Sequence, residues 1–469
     1  MTPRLKVVMK FGGSLLASPG GIPRVSRVIS KASNKMKVVV VISALDDVTD
    51  LLLHAATNAK IWDSTQVIHF IDRIRGIHSQ PLTEMGLRQA TYNEAVDHLE
   101  ELLDDLKLTL SGVSILRELT SRSNDLLLSF GERLSLVVVS AGLRQAGIAI
   151  EALTGGDAGI VTDESFGEAS PDVTKTRRGV REKLLPLLTK GVVPVVAGFI
   201  ARSETGEMTT LGRGGSDYTA TLLADAIAAD EVWIWTDVDG ILTADPRIVK
   251  SARVIEELSY AEAEEMGFFG AKNMHPLALA PARKAGIPVR IRNGFKPDRL
   301  GTLINPHERK SSAIAKSVAL VGNVGIVTVS GETLVGRPGT AAKIFELLGK
   351  AGVNVLMISQ SVSESNISAV VRKGSLERAA SALSEGLSRV GISAGVKVEP
   401  DVSVVAVVGA GMQGTPGIAA KVFSAVAATG VNVRMIAQGS SELNISFVVA
   451  SKDSEKAVKA LHESVVLGK

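Results

Sequence analysis

The sequence predicts a three-layer αβα domain with a mainly parallel sheet, followed by two small α+β, ferredoxin-like modules. Three observations predict this α/β architecture. Short apolar runs are separated by segments long enough for crossover helices, a polar stretch follows Asn305, and the chain beyond that stretch repeats itself at a fixed spacing. With 469 residues, 45% of them hydrophobic, the chain is long enough for about two to four domains with sizeable cores.

The runs are Leu5–Met9, Lys37–Ile42, Ile148–Leu153, Val192–Ala197, Glu231–Thr236 and Ile287–Ile291. Several are continuously apolar, as strands covered on both faces of a parallel sheet are. Parallel strands need crossover connections, and ligands of such sheets sit at the carboxyl ends of the strands. From about Leu51 to Leu128 the pattern is mostly helical. Val96, Leu99, Leu103, Leu106 and Leu110 form an apolar stripe at helical spacing. Asp97, Glu100, Glu101, Asp104 and Asp105 fall off that stripe and are expected on a solvated face, not at a metal.

His307-Glu308-Arg309-Lys310-Ser311-Ser312 reads as a linker. After it, Gly352-Val353-Asn354-Val355 recurs as Gly430-Val431-Asn432-Val433, a shift of 430 − 352 = 78 residues. The same shift carries Pro338-Gly339 to Pro416-Gly417, Gln360 to Gln438, Glu364 to Glu442 and Asn366-Ile367-Ser368 to Asn444-Ile445-Ser446. Each copy reads strand, loop, helix, strand, turn, strand. The expected domains are 1–306, 313–392 and 398–469. Gly409-Ala410-Gly411-Met412-Gln413-Gly414 matches a dinucleotide-binding fingerprint, but no acidic residue follows near the required distance. The equivalent first-copy positions, Gly331, Thr333 and Gly336, lack the middle glycine. Dinucleotide binding is not expected here.

Charge excludes some classes. Lys and Arg number 52 against 49 Asp and Glu, so nothing points to nucleic acid or an anionic membrane as partner. Zero cysteines exclude disulfides, thiolate metal sites and a cysteine nucleophile, and are compatible with a cytoplasmic location. No apolar run reaches the roughly 20 residues of a membrane span. Met1-Thr2-Pro3-Arg4 leads straight into the first strand, so no signal peptide is expected.

Three stretches carry chemistry. Lys10-Phe11-Gly12-Gly13-Ser14 lies between the first strand and a segment, Leu15 to Ile29, with helical character. Strand, glycine turn and helix place backbone N–H groups against an anion, and the lysine can reach the same anion. The alternative is an ordinary βα turn that needs glycine for its backbone angles. In the second stretch, Thr210 to Thr219, Gly214-Gly215 permits close backbone approach and Arg213 offers a fork suited to a carboxylate or phosphate. Ser216 or Asp217 there has the alternative role of helix cap. The third, Thr236-Asp237-Val238-Asp239-Gly240 with Asp245-Pro246-Arg247, follows a strand, where carboxylates hold a ligand hydroxyl or hydrated Mg²⁺ unless they serve only the turn. The chain lacks G-x-x-x-x-G-K-[ST] and the protein-kinase H-R-D and D-F-G motifs, so a phosphoryl-transfer reading needs another scaffold.

These stretches, with Ser43 through Thr49, Phe130-Gly131-Glu132-Arg133, Gly198-Phe199 and Gly270 through Pro276, resemble the aspartate kinases of the amino-acid kinase superfamily. Single motifs are shared with acetylglutamate, glutamate and uridylate kinases. The helical insert before Glu132 and the repeated modules, which resemble paired ACT domains, single out the aspartate kinases. The resemblance covers essentially the whole chain. It implies transfer of the γ-phosphoryl of ATP, with Mg²⁺ held mainly by the phosphates, to the β-carboxylate of L-aspartate, opening lysine, threonine and methionine synthesis. Lys10 and Asp217 would be catalytic. Lys10 would bridge the β- and γ-phosphates, with Gly12, Gly13 and Ser14 lining them and Thr236, Asp237, Arg247 and Lys272 holding the nucleotide. Ser43, Thr49, Glu132, Phe199, Arg213 and Ser216 would form the aspartate pocket, Arg213 pairing with a carboxylate and Glu132 with the α-ammonium. His275 is expected to be structural. Two departures stand out: Leu242 replaces an aromatic often found near the nucleotide, and Asp46 and Asp47 stand where small residues are common.

ACT pairs commonly bind an amino acid at their interface. Asn354, Gln360, Asn366, Asn432, Gln438 and Asn444 are the candidate effector contacts, with turn and cap chemistry the alternative for the asparagines. Feedback inhibition by lysine or threonine through a homodimer joined at these modules, or a tetramer, is expected. The rival readings are a kinase of another amino acid, such as glutamate, and a catalytically dead amino-acid sensor. No chain remains after the second copy for a fused homoserine dehydrogenase.

Overall fold

A computed structural model describes residues 4–268, 276–306 and 314–467. The described residues form two compact units. The first takes residues up to Ile241, Glu256–Glu264 and 276–306, and the second takes Leu242–Ile255, 265–268 and 314–467.

The first unit is built on an eight-stranded sheet. From one edge inward run Ile150–Leu153, Val193–Ala197, Lys37–Ile42, Lys6–Phe11, Glu231–Thr236 and Val289–Asn293, all parallel. These are the six runs expected from the sequence, with ends shifted by up to two residues. Val38 to Ile42 and Val193 to Ala197 are almost wholly buried, because helices cover both faces. Two short strands extend the sheet. Thr302–Asn305 pairs antiparallel with Val289–Asn293, and Glu257–Ser259 lies parallel beyond it. The first strand is central, and the chain leaves it toward both sides. Its carboxyl end is therefore a topological switch point, where an open α/β sheet forms a ligand crevice.

The insert is four helices, Val48–Lys60, Ser64–Glu84, Gln89–Leu116 and Ser121–Gln145. Leu99, Leu103, Leu106 and Leu110 enter the same core as the sheet, while Asp97, Glu101, Asp104 and Asp105 are exposed. The Ser121–Gln145 helix is long and apolar enough to cross a membrane, but 78% of its apolar window is buried inside the protein. It is the central helix of this core.

The second unit is a six-stranded antiparallel sheet in the order Val355–Gln360, Asn366–Arg372, Ser317–Ser330, Gly395–Val408, Asn444–Ala450 and Val433–Ala437. The repeat is visible in every element: the helices Thr340–Lys350 and Ile418–Ala427 correspond, as do Leu376–Arg389 and Ser454–Leu461. The two 14-residue strands are shared. Ser317–Val321 pairs with Val404–Val408, and after a bulge Ile326–Ser330 pairs with Gly395–Glu399. Each long strand thus serves the first copy with one half and the second copy with the other. The helices cover one face. On the other, repeat-related residues meet in one core: Val324 with Val402, Met357 with Met435, Val370 with Val448. The glycine-rich stretch at Gly409 leads into the Ile418–Ala427 helix and Val433–Ala437, a split βαβ in which Asn444–Ala450 lies antiparallel between the two strands, and not the adjacent parallel pair that binds dinucleotides. Leu242–Ile255, within the 1–306 span, folds with this unit. Ala244 and Val249 join the core of Val405, Ile418, Phe447 and Val458, and Thr243 Oγ1 is 2.9 Å from His462 Nε2.

His78 in the insert is fully buried. Its Nδ1 lies 2.7 Å from the Ile74 carbonyl, and its Nε2 has no partner among the described residues. Burial lowers its pKa to about 4. The unfolded chain, titrating near about 6.5, then binds more protons below that pH, so stability present above it is lost as pH falls toward 4. In urea titrations, His78→Leu is expected to lose less stability than the unsubstituted protein between pH 6.5 and 4.5.

Candidate active site

The Lys10 turn closes against two neighbours. The Gly12 N–H donates to the Trp235 carbonyl at 3.1 Å, and a Cβ on Gly13 would lie 2.3 Å from the Ala44 carbonyl oxygen. Any side chain at Gly13 would therefore push two strand ends apart. The expected Leu15–Ile29 helix is two helices, Gly13–Ala17 and Gly21–Ser33. They are broken at Ser18-Pro19-Gly20, where Gly20 takes φ +63°. A cavity of about 330 Å³ opens at this turn, lined by Lys10, Gly12, Gly13, Ser14, Thr49 and Thr236, and by Ala44 on its floor. Asp46, Asp47 and Asp50 line it too. Among the described residues no group of three or more His, Cys, Asp or Glu is placed to hold a metal.

Lys10 Nζ lies 2.7 Å from Asp217 Oδ1, and both side chains are largely buried. Asp217 is in the first turn of the Gly215–Ile227 helix, whose N-cap is Gly214 at φ +71° with no side-chain cap bond. Ser216 and Asp217 are thus buried groups of that turn and not its cap. The neighbourhood is close-packed around glycines: a Cβ on Gly198 would come within 2.8 Å of Ser216, and one on Gly215 within 2.7 Å of the Phe199 ring. Phe199 itself takes φ +64°, a strained conformation for an aromatic residue, held by a 3.0 Å bond from its N–H to Thr219 Oγ1. Arg213 is exposed, with no ion pair among the described residues.

Glu132 reaches the crevice from the buried helix. One carboxylate oxygen accepts from the Ala44 N–H at 3.2 Å, and the other is buried without a partner. Desolvation raises its pKa to about 8, against the Ala44 N–H and the Lys10 charge, which favour the ionised form. Three residues on, Ser135 Oγ donates to the Ser43 carbonyl at 2.8 Å. Lys10, Asp217, Glu132, Ser43, Thr49, Ser216 and Thr236 thus gather at the strand ends through the cavity and these contacts.

The other expected residues divide. Asp237 is exposed beside Thr236, whose hydroxyl donates to it at 3.1 Å. Arg247 is exposed in the second unit and paired with Asp245 at 2.6 Å. Half-buried Leu242 bridges to Val254 in that unit. Lys272 and His275 lie outside the described residues. In the repeat, Asn354, Gln360, Asn432 and Gln438 are exposed, Asn366 is half-buried, and Asn444 donates its amide to Glu265. The sequence reading named Asp239 only as part of its turn and passed over Asp125. Asp239 is bound by Lys296 at 2.9 Å and Arg299 at 3.1 Å, which hold its carboxyl below the usual range. Asp125 is wholly buried in the Ser121–Gln145 helix and hydrogen-bonded to Thr210. An acid directly before the apolar run Leu126-Leu127-Leu128 was the available signal.

A buried lysine and a glycine turn at the switch point of a parallel sheet, in one chain with a doubled α+β module, are the features of an amino-acid kinase with paired ACT domains. The family described as Amino acid kinase family matches residues 6–293, and ACT domain matches 327–387 and 405–465. The chain is 35% identical over 472 residues to aspartokinase 3, chloroplastic, of Arabidopsis thaliana, covering 98% of this chain and 82% of that one. The structure matches E. coli aspartokinase III in complex with aspartate and ADP (R-state) with a TM-score of 0.83 at 31% identity, covering 98% of this chain and 99% of that one. It matches the same enzyme in complex with lysine and aspartate (T-state) with a TM-score of 0.81 at 31% identity, with the same coverage. The chain belongs to the aspartokinase family.

Two substitutions test the geometry without substrate. Gly13→Ala is expected to destabilise the protein by about 1–3 kcal/mol in denaturant titration, through the clash with the Ala44 carbonyl. The folded protein keeps Glu132 protonated up to about pH 8, whereas the unfolded chain loses that proton near about 4.5. Folding then binds a proton between those values, so this stability is lost as pH rises from 4.5 toward 8. The melting temperature of Glu132→Gln is expected to fall less than that of the unsubstituted protein between pH 5 and 8.

Proposed function

We propose that the protein transfers the γ-phosphoryl group of ATP to the β-carboxylate of L-aspartate, giving 4-phospho-L-aspartate at the head of lysine, threonine and methionine synthesis. The observation that carries this reading is the buried, unpartnered oxygen of Glu132, bonded through Ala44 to the cavity that holds Lys10. A positive group of the substrate completes that carboxylate, and the α-ammonium of an amino acid supplies one. The Lys10–Gly13 turn receives the phosphates. The aspartate carboxylate is already ionised at neutral pH, so no strong base is needed, and positioning with charge neutralisation performs the chemistry. Lys10 neutralises charge on the transferring group, and Asp217 holds the ammonium in place until the phosphates arrive. Ser43, Thr49, Phe199, Arg213 and Ser216 complete the amino-acid pocket, with Arg213 free to take a carboxylate. Thr236, Asp237, Arg247 and Lys272 hold the nucleotide. Mg²⁺ carried by the nucleotide phosphates would neutralise part of their charge. The acids Asp46, Asp47 and Asp50 line that cavity, and among the described residues no group of three or more His, Cys, Asp or Glu is placed to hold a metal.

ADP release is expected with aspartate and not with glutamate, and Lys10→Ala is expected to lower kcat roughly a hundred- to a thousandfold. Turnover preferring glutamate, or no turnover, defeats the reading.

The repeat serves regulation by an end-product amino acid, lysine or threonine, bound at the ACT pair. The relative solved with lysine in a T-state supports an effector that prefers a less active arrangement. Ile358 and Ile436, at equivalent places on the two edge strands, are 47% and 48% exposed, which favours a homodimer through these modules. Gln438→Ala is expected to weaken inhibition by the effector. Unchanged inhibition by both amino acids removes Gln438 from the site. A cytoplasmic location is part of the proposal, and the zero cysteines are compatible with it.

A further inference from the structure

The Ser121–Gln145 helix carries a second buried carboxylate. Asp125 is 0% exposed and accepts three hydrogen bonds: Oδ2 from the Gly167 N–H at 3.0 Å and the Thr210 N–H at 2.9 Å, and Oδ1 from Thr210 Oγ1 at 2.8 Å. Seven residues separate Asp125 from Glu132. Two helical turns therefore place them on one face, roughly 10 Å apart along the axis. The helix acts as a ruler between two walls. Near its middle, Glu132 and Ser135 fix Ala44 and Ser43. Toward its start, Asp125 fixes Thr210, whose carbonyl also accepts from the Ala169 N–H at 2.9 Å. Every polar group of Thr210 is thus engaged. From there the chain passes Gly212 at φ +69° to Arg213 and Gly214 at φ +71°. The Leu211 N–H donates to the Phe199 carbonyl at 2.9 Å and the Gly215 N–H to the Gly212 carbonyl at 3.0 Å, so the short loop that carries Arg213 is tied on both sides and starts from the anchored Thr210.

We propose that Asp125 is a positioning residue for the amino-acid substrate: through Thr210 it fixes the reach of the Arg213 guanidinium relative to Glu132. This rests on the assignment of Arg213 and Glu132 to the aspartate pocket. Asp125→Ala leaves two backbone N–H groups and a hydroxyl without an acceptor. Asp125→Asn keeps an oxygen for both N–H groups and offers its amide to the Thr210 hydroxyl.

The test is steady-state kinetics of the full chain with each substrate varied. Asp125→Ala is expected to raise KM for aspartate about tenfold, leaving KM for ATP and kcat within about twofold. Asp125→Asn is expected to restore KM to within about threefold of the unsubstituted value. Thr210→Val, which removes only the hydroxyl bond, is expected to raise aspartate KM a few-fold, with little added effect on top of Asp125→Ala. It decides the question if Asp125→Ala does not fold. An unchanged aspartate KM, or equal losses toward both substrates without rescue by Asn, overturns the proposal. Arg213→Ala separates the layers. If it raises aspartate KM and the Asp125 and Thr210 variants do not, the positioning role alone falls. If it leaves aspartate KM unchanged, the pocket assignment falls and the positioning role with it.

Discussion

The structure turns on a buried ammonium paired with a buried carboxylate at the end of the central strand. Lys10 and Asp217 are 2.7 Å apart with little exposure to water. Taking two charges out of solvent costs several kcal/mol each unless the geometry is good and further partners are near. The surrounding packing supplies that geometry. Lys10 is fixed by its place in the central strand, Asp217 by the first turn of the Gly215–Ile227 helix, and both approaches depend on backbones that come closer than a side chain allows, at Gly13, Gly198 and Gly215. The same burial acts on Glu132, whose carboxyl titrates near 8 because water is excluded. A cation beside Glu132 and a polyanion beside Lys10 would each gain from charge held out of water.

Much of this was legible in the chain. Parallel strands covered on both faces leave long β-branched runs, so all six central strands were placed within two residues. Lys10, the glycine pair after it and the Gly214-Gly215 turn stood out because glycines mark places where backbones approach closely, and the structure packs Gly13 and Gly215 tightly. What was missed was short or tertiary in origin. Thr302–Asn305, Glu257–Ser259 and the strands of the small Val161–Thr162, Ile200–Ser203, Met208–Thr210 sheet are two to four residues long, too brief for a period to register. The break at Ser18-Pro19-Gly20 was written in the proline and glycine and was overrun by the helical pattern on either side. Asp125 gave a local signal, a charge directly before an apolar run, but its partner Thr210 is 85 residues away. No spacing rule connects them.

The second unit shows the limit of reading a repeat as two beads. The 78-residue shift predicted strand, helix, strand and strand in each copy, but not the closing helices Leu376–Arg389 and Ser454–Leu461. It did not predict that both long strands are divided between copies. Nor did local pattern show that Leu242–Ile255 packs Ala244 and Val249 among the residues of the second copy. That segment contains Arg247, so a residue assigned to nucleotide is anchored by the regulatory core and not by the sheet that bears Lys10.

The division of the long strands carries a meaning for ancestry. A polypeptide bearing a single copy would end after its last helix, one strand short of a closed four-stranded layer. Two such polypeptides would complete each other by lending the missing strand in both directions, as Ser317–Val321 and Gly395–Glu399 do within this one. Gene duplication in tandem then converts an obligate partnership of separate molecules into a covalent one, and neither copy can later be lost without unravelling its twin.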